Sequence, residues 1–207
     1  MNTKVTTKEG GWVWPLADEK SWKGQHEHLG LVDHIMPYVK ERRVMVQAGG
    51  NCGLLLNTFI DKFEHIYTFE PDPVNFYCLT QNITQGNVSK MQACLGHVSE
   101  TVRVQQLHRP DMPHDTGGVH IAGSGYSPVL AIDNLNLPQC DLIQLDVEGF
   151  ELKALRGAIS TIKKHKPVLC VELCEKWLNR YGDTTEDVLE LLSALGYVQV
   201  DEEGVDR

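Results

Sequence analysis

The sequence predicts an open α/β fold: a doubly wound, mostly parallel sheet with helices on both faces. Three observations predict it. Apolar, strand-like runs alternate with segments of helical periodicity along most of the chain, the order that builds parallel sheets. The run RVMVQA passes straight into the glycine-rich stretch GGNCG, the kind of bend that hands a buried strand to a helix whose first amides face a ligand. VLCVELC, near the carboxyl end, is almost continuously apolar, as a strand covered on both faces should be.

The elements follow in order. Residues 29–40 read as a helix leading into the first strand. After the glycine turn, Leu56, Phe59, Ile60 and Phe63 recur at helical intervals and predict one amphipathic helix. HIYTFE is a second strand; Pro71 and Pro73 end it, and Phe76, Leu79 and Ile83 mark the next helix. Residues 88–95 supply a third strand, and VRVQQLH a further short one. RPDMPHDTGGVHIAGSGYSP, residues 109–128, reads as a long functional loop, because glycine and proline punctuate it and apolar anchors are few. DLIQLDV is a buried strand. Leu152, Leu155, Ile159 and Ile162 predict its helix, which the basic run from Lys163 to Lys166 suits and Pro167 stops. Thr184 and Asp187 have capping-box spacing before a helix over 188–195, closed by Gly196, and YVQVDEE reads as a final strand. In such folds ligands bind beyond the carboxyl ends of the strands, where the strand order reverses.

Length and composition restrict the function. At 207 residues, 42% hydrophobic and 23% charged, the chain is expected to form one domain over residues 29–207. Residues 1–28 are an amino-terminal extension whose Trp12, Trp14 and Trp22 could act as a lid but are expected to cover apolar surface instead. A net charge of −9 argues against gripping nucleic acid or an anionic membrane, and favours a cationic ligand. No run is apolar enough for a signal peptide or a membrane span, so a soluble, cytoplasmic protein is expected. The six cysteines form no CxxC pair, and reduced, mostly buried thiols are expected. Uncovered sheet edges leave a homodimer open.

The glycine turn serves nucleotide phosphates and adenosyl ligands alike. Glu70 ends the second strand, where a carboxylate can accept both hydroxyls of a ribose, a placement also shared by NAD and adenosyl ligands. Gly49, Gly50 and Gly53 do not space as G-x-G-x-x-G, which weakens the dinucleotide reading.

VQAGGNCG, YTFEPDP and LIQLDVEGFELKALRGA, in this order and at these intervals, resemble the FkbM-type group of class I S-adenosylmethionine-dependent methyltransferases, over most of the chain from about Val44 to Tyr197. LDVEGFE behind an apolar strand is the most specific element. The resemblance implies a Rossmann-like class I methyltransferase fold and S-adenosylmethionine as cofactor. It implies that Gly49, Gly50, Asn51 and Gly53 let the methionine part lie against the backbone, that Glu70 holds the ribose with Asp72 shaping that pocket, and that Ala93 and Cys94 line the adenine. Asp146 would face the methionine end of the cofactor and the acceptor, with Glu148 nearby. The family's usual residue at Gln47 is aspartate. A glutamine can accept a hydrogen bond from the cofactor's ammonium but brings no negative charge.

The acceptor implied is a small molecule, a sugar or another polyhydroxylated metabolite, methylated on oxygen. A hydroxyl acceptor needs a base. Asp146 is the first candidate and Glu148 the second, each with a purely structural alternative as cap or cofactor anchor. Glu172, an acid in an apolar strand, must be paired or stand at the strand's open end. Asp146, Glu148 and Glu172 could hold a divalent ion through oxygen ligands, a reading placed second to a hydroxyl-rich acceptor pocket. Among the nine histidines, none has zinc spacing; His108 and His114 read as solvated loop residues, and His97 and His120 are reserve bases. Tyr126, in GSGYS, is a lid residue that could contact cofactor. Two rivals remain: an NAD-dependent oxidoreductase, and a degenerate, non-catalytic binding domain of the same fold, for which Gln47 is the sign.

Overall fold

The computed structural model describes residues 5–16, 18–107 and 116–200. β1 (Val5–Thr7) and β2 (Val13–Pro15) form a small antiparallel pair, followed by α1 (Glu19–Glu27) and α2 (Leu31–Ile35). Then come β3 (Val44–Ala48), α3 (Leu54–Asn57), β4 (His65–Phe69), α4 (Pro73–Asn82), β5 (Val88–Met91) and β6 (Cys94–Leu95). β7 (Thr101–Gln106), β8 (Val119–Ser124) and β9 (Ser127–Leu130) precede β10 (Leu142–Leu145), α5 (Glu151–Arg156), α6 (Ile159–His165), β11 (Val168–Val171), α7 (Glu175–Leu178) and α8 (Thr185–Ala194).

The main sheet has five strands in the order β11-β10-β3-β4-β5, all parallel. This is the expected doubly wound architecture. The order reverses between β3 and β10, so their carboxyl ends open a crevice there. Alternation along β3 explains how the sheet is covered. Val44, Val46 and Ala48 pack with Leu152, Leu155 and Ile162 on the face of α5 and α6, whereas Met45 packs on the other face with Phe59, Phe63, Leu79 and Ile83. Full burial of each such side chain contributes roughly 1.5–3 kcal/mol. Gln47 shares the Met45 side and is paired in register with Gln144 and Thr68, a buried polar row across three neighbouring strands.

Several elements differ from expectation. Residues 29–40 are not one helix: α2 is flanked by 3-10 turns at His28–Gly30 and Met36–Tyr38. The helix after the glycine turn ends at Asn57 and continues as a 3-10 turn, Ile60–Lys62. Phe59 and Phe63 are still buried there, so the apolar spacing is met without a continuous helix. The strand expected over 88–95 breaks in two, because the Ala93 amide turns back to donate to the Met91 carbonyl (3.0 Å). β5 stays in the main sheet while β6 joins a second sheet, β6-β9-β7-β8. The described part of the expected 109–128 loop is largely β8 and β9 of that sheet; the rest of it, with His114, and the preceding His108 lie outside the described residues. The helix after β10 is split at Gly157, where a Cβ would meet the Gly96 carbonyl oxygen at 2.1 Å. Thr184 and Asp187 do form a reciprocal capping box. Residues 197–200 are not in a strand, and the remainder of YVQVDEE is outside the described residues.

Among the described residues, no helix is long and apolar enough to cross a membrane. Trp14 is fully buried against Cys52, Leu54 and Cys78, its indole Nε1 donating to the Asp18 carbonyl (3.0 Å). The tryptophan thus backs the glycine turn rather than facing the crevice.

Candidate active site

A cavity of about 200 Å³, its mouth open to solvent, lies at the carboxyl ends of β3, β4 and β10. Its floor is the glycine turn. Gly49 has φ 85°, and a Cβ there would sit 2.0 Å from the Asp146 carbonyl oxygen, so only glycine lets β3 and β10 close together at this point. Asn51, at φ 45°, turns its own carbonyl Oδ1 to accept from the Cys52 amide (2.7 Å) and donates from Nδ2 to the Thr116 carbonyl (3.0 Å). Asn75 donates to the same carbonyl, while the Thr116 amide donates to Asp18. Thr116 thus ties the amino-terminal segment, the glycine turn and α4 into one rim.

Glu70 is buried at the end of β4 and lines the cavity. Its Oε2 accepts from the Asn51 amide (2.7 Å) and its Oε1 from the Asp72 amide (2.8 Å). Burial pushes its carboxyl up to about 8, against the lowering effect of those two amides. Once ionised, each oxygen keeps a lone pair for a further donor. Ala93 and Cys94 line the cavity beyond Glu70, and burial, then Glu70, raises the Cys94 thiol to about 12.

The opposite wall is acidic. Asp146, Glu148 and Glu172 all line it. Leu145 pairs with Val171 in register, and the Glu172 amide donates to the Leu145 carbonyl (2.9 Å), so Asp146 and Glu172 leave their strands side by side. The charge of Asp146, then burial, then Glu148 and Glu151, push the Glu172 carboxyl up to about 10. Glu148 is held at φ 55° and Gly149 at φ 99° in a tight turn; a Cβ on Gly149 would meet the Trp177 carbonyl oxygen at 2.2 Å. Glu151 clamps this turn from inside: its Oε1 accepts from the amides of Val147 (3.0 Å) and Gly149 (3.2 Å), and burial raises it to about 7. Across the mouth, Tyr181 Oη accepts from the Ile121 amide (2.9 Å) and fastens β8 to the segment after α7.

The sequence-predicted residues therefore divide. Gly49, Gly50, Asn51, Glu70, Ala93, Cys94, Asp146 and Glu148 meet at one cavity. Gln47 is buried outside it: its Nε2 donates to the Gly49 carbonyl (3.0 Å) and its Oε1 accepts from the Thr68 hydroxyl, so the amide supports the turn from beneath. Gly53 starts α3 at φ 92° against Ile83 and Leu79. Asp72 caps α4, accepting at Oδ1 from Val74 and Asn75, and reaches the site only through its amide on Glu70. Tyr126, 99% exposed between β8 and β9, is not at the cavity. Of the reserve bases, His120 lines the cavity and His97 does not; burial, then the charge of Arg180, lowers His120. Among the described residues, no group of three or more acids, histidines or cysteines is placed to hold a metal ion. Gln25, His28, Thr116 and Phe150 also line the cavity. Sequence spacing did not point to the first three, which arrive by long-range packing.

The profile of the Methyltransferase FkbM domain family matches residues 55–198. The chain belongs to this family. Its glycine turn lies just ahead of the matched span, whereas Glu70, Asp146, Glu148 and Glu172 all fall within it. The hexuronic acid methyltransferase AglP of Haloferax volcanii is 24% identical over 185 residues, 87% of this chain and 72% of that protein. The FkbM methyltransferase of Methylobacillus flagellatus superposes with a TM-score of 0.50 at 24% identity over 74% of this chain; the match spans only 36% of that protein's length. The precorrin 8W decarboxylase of Methanobacterium thermoautotrophicum superposes with a TM-score of 0.50 at 15% identity, over 81% of this chain and 72% of that one. These two likenesses concern the fold, a class I methyltransferase architecture in which this FkbM domain takes its place.

Proposed function

We propose that this FkbM domain is an S-adenosylmethionine-dependent methyltransferase acting on an oxygen of a sugar or related polyhydroxylated small molecule. The observation that carries the reading is the pairing of Glu70 with the acidic wall. A buried carboxylate anchored by two backbone amides offers its remaining lone pairs to ribose hydroxyls, and Asp146, Glu148 and Glu172 stand opposite it. That donor set fits a ligand with a ribose at one end and positive charge at the other. It does not suit the diphosphate of a dinucleotide. Among the described residues no lysine or arginine lines the cavity, and the helix after the turn is only four residues long, with little dipole to offer an anion. The acidic wall favours this reading over a degenerate one, since it offers negative charge where Gln47 has none.

When bound, the cofactor supplies an activated methyl group on a sulfonium. The chain's part is positioning and proton handling. Glu70 with Ala93 and Cys94 would hold the adenosine part, and the bare backbone of Gly49 and Gly50 would lie against the methionine part. Asp146 and Glu148 would face the acceptor hydroxyl, as base or as orienting acceptors. His120, kept neutral by burial and Arg180, stands on the same cavity as a further proton acceptor. The name of the Haloferax relative makes uronic acids and their glycosides the first acceptors to try.

The test is thermal unfolding with S-adenosylmethionine, S-adenosylhomocysteine and NADH, followed by transfer of labelled methyl to a panel of sugars and sugar acids. Both adenosyl compounds are expected to raise the melting temperature, since a ligand of the native state stabilises it. Stabilisation by NADH alone would overturn the proposal.

A further inference from the structure

Asp146 and Glu172 follow directly after residues paired in register on adjacent parallel strands, where strands lie about 4.8 Å apart. Both line the cavity on the same wall. Glu172 is half-buried and Asp146 is exposed to solvent; two carboxylates this close still cannot both ionise at small cost, so one proton is retained between them. The surroundings reinforce this. Glu148 and Glu151 add negative charge near Glu172, Glu70 faces Asp146 from across the cavity, and Glu172 Oε2 is buried without a hydrogen-bond partner. Arg180 donates a guanidinium N–H to the Glu148 carbonyl (3.4 Å), and its charge bears on His120.

We propose that Asp146 and Glu172 form a proton-sharing carboxyl pair, and that a sulfonium cofactor displaces the shared proton when it binds. This rests on the adenosyl reading of the cavity. In the free protein the proton neutralises half of the pair. A bound cation takes over that role, the O–H bond breaks, and the proton passes to solvent buffer. The pair is then a sensor of the cofactor's charge. It favours the methyl donor, whose sulfur is positive, over the demethylated product, whose sulfur is neutral. Rising pH sharpens that preference, because the cost of removing the proton falls. Glu172 accordingly shapes cofactor discrimination without needing to touch the acceptor.

Isothermal titration calorimetry tests this on the full chain, in buffers of low and high ionisation enthalpy between pH 6 and pH 8. Proton release on binding S-adenosylmethionine is expected to exceed that for S-adenosylhomocysteine by roughly half to one proton. Taking the difference cancels any contribution from Glu70, because both ligands carry the same ribose. The ratio of product to donor dissociation constants is expected to grow up to about tenfold per pH unit. In Glu172→Gln the extra proton release and the pH dependence of the ratio should both disappear. The wild-type difference stands by itself should that variant fail to fold. Equal proton release for the two ligands, or an undiminished difference in Glu172→Gln, overturns the inference while leaving the adenosyl reading intact. Failure of both ligands to bind overturns that reading, and this inference with it.

Discussion

Replacing Gly49 with alanine tests whether the glycine turn exists to bring two strand ends together. At this position φ is 85°, and an added Cβ would lie 2.0 Å from the Asp146 carbonyl oxygen and 3.0 Å from its carbonyl carbon. The oxygen distance is roughly 1 Å inside the closest contact a real Cβ makes, and the clash is with backbone, which cannot rotate away. Holding alanine at positive φ costs about 1–2 kcal/mol, and overpacking adds about 1–3 kcal/mol. The sum, roughly 2–5 kcal/mol, corresponds to a melting temperature lower by on the order of 5–15 °C for a chain of this size. Relief of the clash moves Asp146 by a comparable 1 Å, a displacement that costs on the order of 100-fold in turnover when it falls on a reacting group. Thermal unfolding gives the first number and a methyl-transfer assay the second; calorimetric titration with S-adenosylhomocysteine reads the accompanying distortion of the turn, with affinity expected to fall at least about tenfold, about 1.4 kcal/mol. Gly86→Ala is the control, since nothing lies within 4 Å of its added Cβ; it should stay within about 0.5 kcal/mol of wild type. A Gly49→Ala protein with wild-type stability and product affinity would refute the reasoning.

Two further outcomes follow from buried groups. Trp14→Ala removes a fully buried side chain packed on Cys52 and Leu54 and should cost about 3–5 kcal/mol; unchanged unfolding in urea would show that the amino-terminal segment is dispensable to the core. The folded pKa values of Glu151, Glu70 and Glu172 are raised to about 7, 8 and 10, so between the ordinary carboxyl range and those values the folded protein binds more protons than the unfolded chain. Their contribution to stability is fully present below the unfolded pKa and is lost as pH rises from there through each folded one. The urea midpoint of the ligand-free protein should therefore fall between pH 5.5 and pH 9.5, and a midpoint that climbs over that interval would contradict the assignment.

The parallel sheet was legible because each of its strands carries its own signal. VMVQA, HIYTF and LIQL are short apolar runs bounded by turn residues, and strands that bury both faces must look so. What failed was whatever depended on partners distant in sequence. Leu56, Phe59, Ile60 and Phe63 show helical spacing, yet the same burial is reached by one turn of α-helix followed by a 3-10 turn, because the sheet they pack on constrains side chains and not hydrogen-bond pattern. The glycines and prolines of residues 109–128 suggested a loop, but Val119 and Ile121 find ladder partners in Gln106 and Val104. Pairing with β7 outweighs weak local propensity there.

The site shows the same division, with a consequence for its chemistry. Glu70 could be placed from sequence because it ends a strand, and Asp146 for the same reason. Thr116, Gln25 and His28 could not, since they reach the cavity through contacts between segments far apart in the chain. Gln47 illustrates the limit most clearly. Read along its own strand, a neutral residue near the end of β3 looks like a loss of the charge that a cationic ligand needs. Read across the sheet, Gln47 is committed to Thr68 and the Gly49 carbonyl, while the acids sit one strand and two strands away, at the ends of β10 and β11. Side-by-side placement of Asp146 and Glu172 is a property of register, which no single segment encodes. The electrostatics of this cavity therefore belong to the pairing of strands, and a change in register at β10 or β11 would alter them more than any substitution at Gln47.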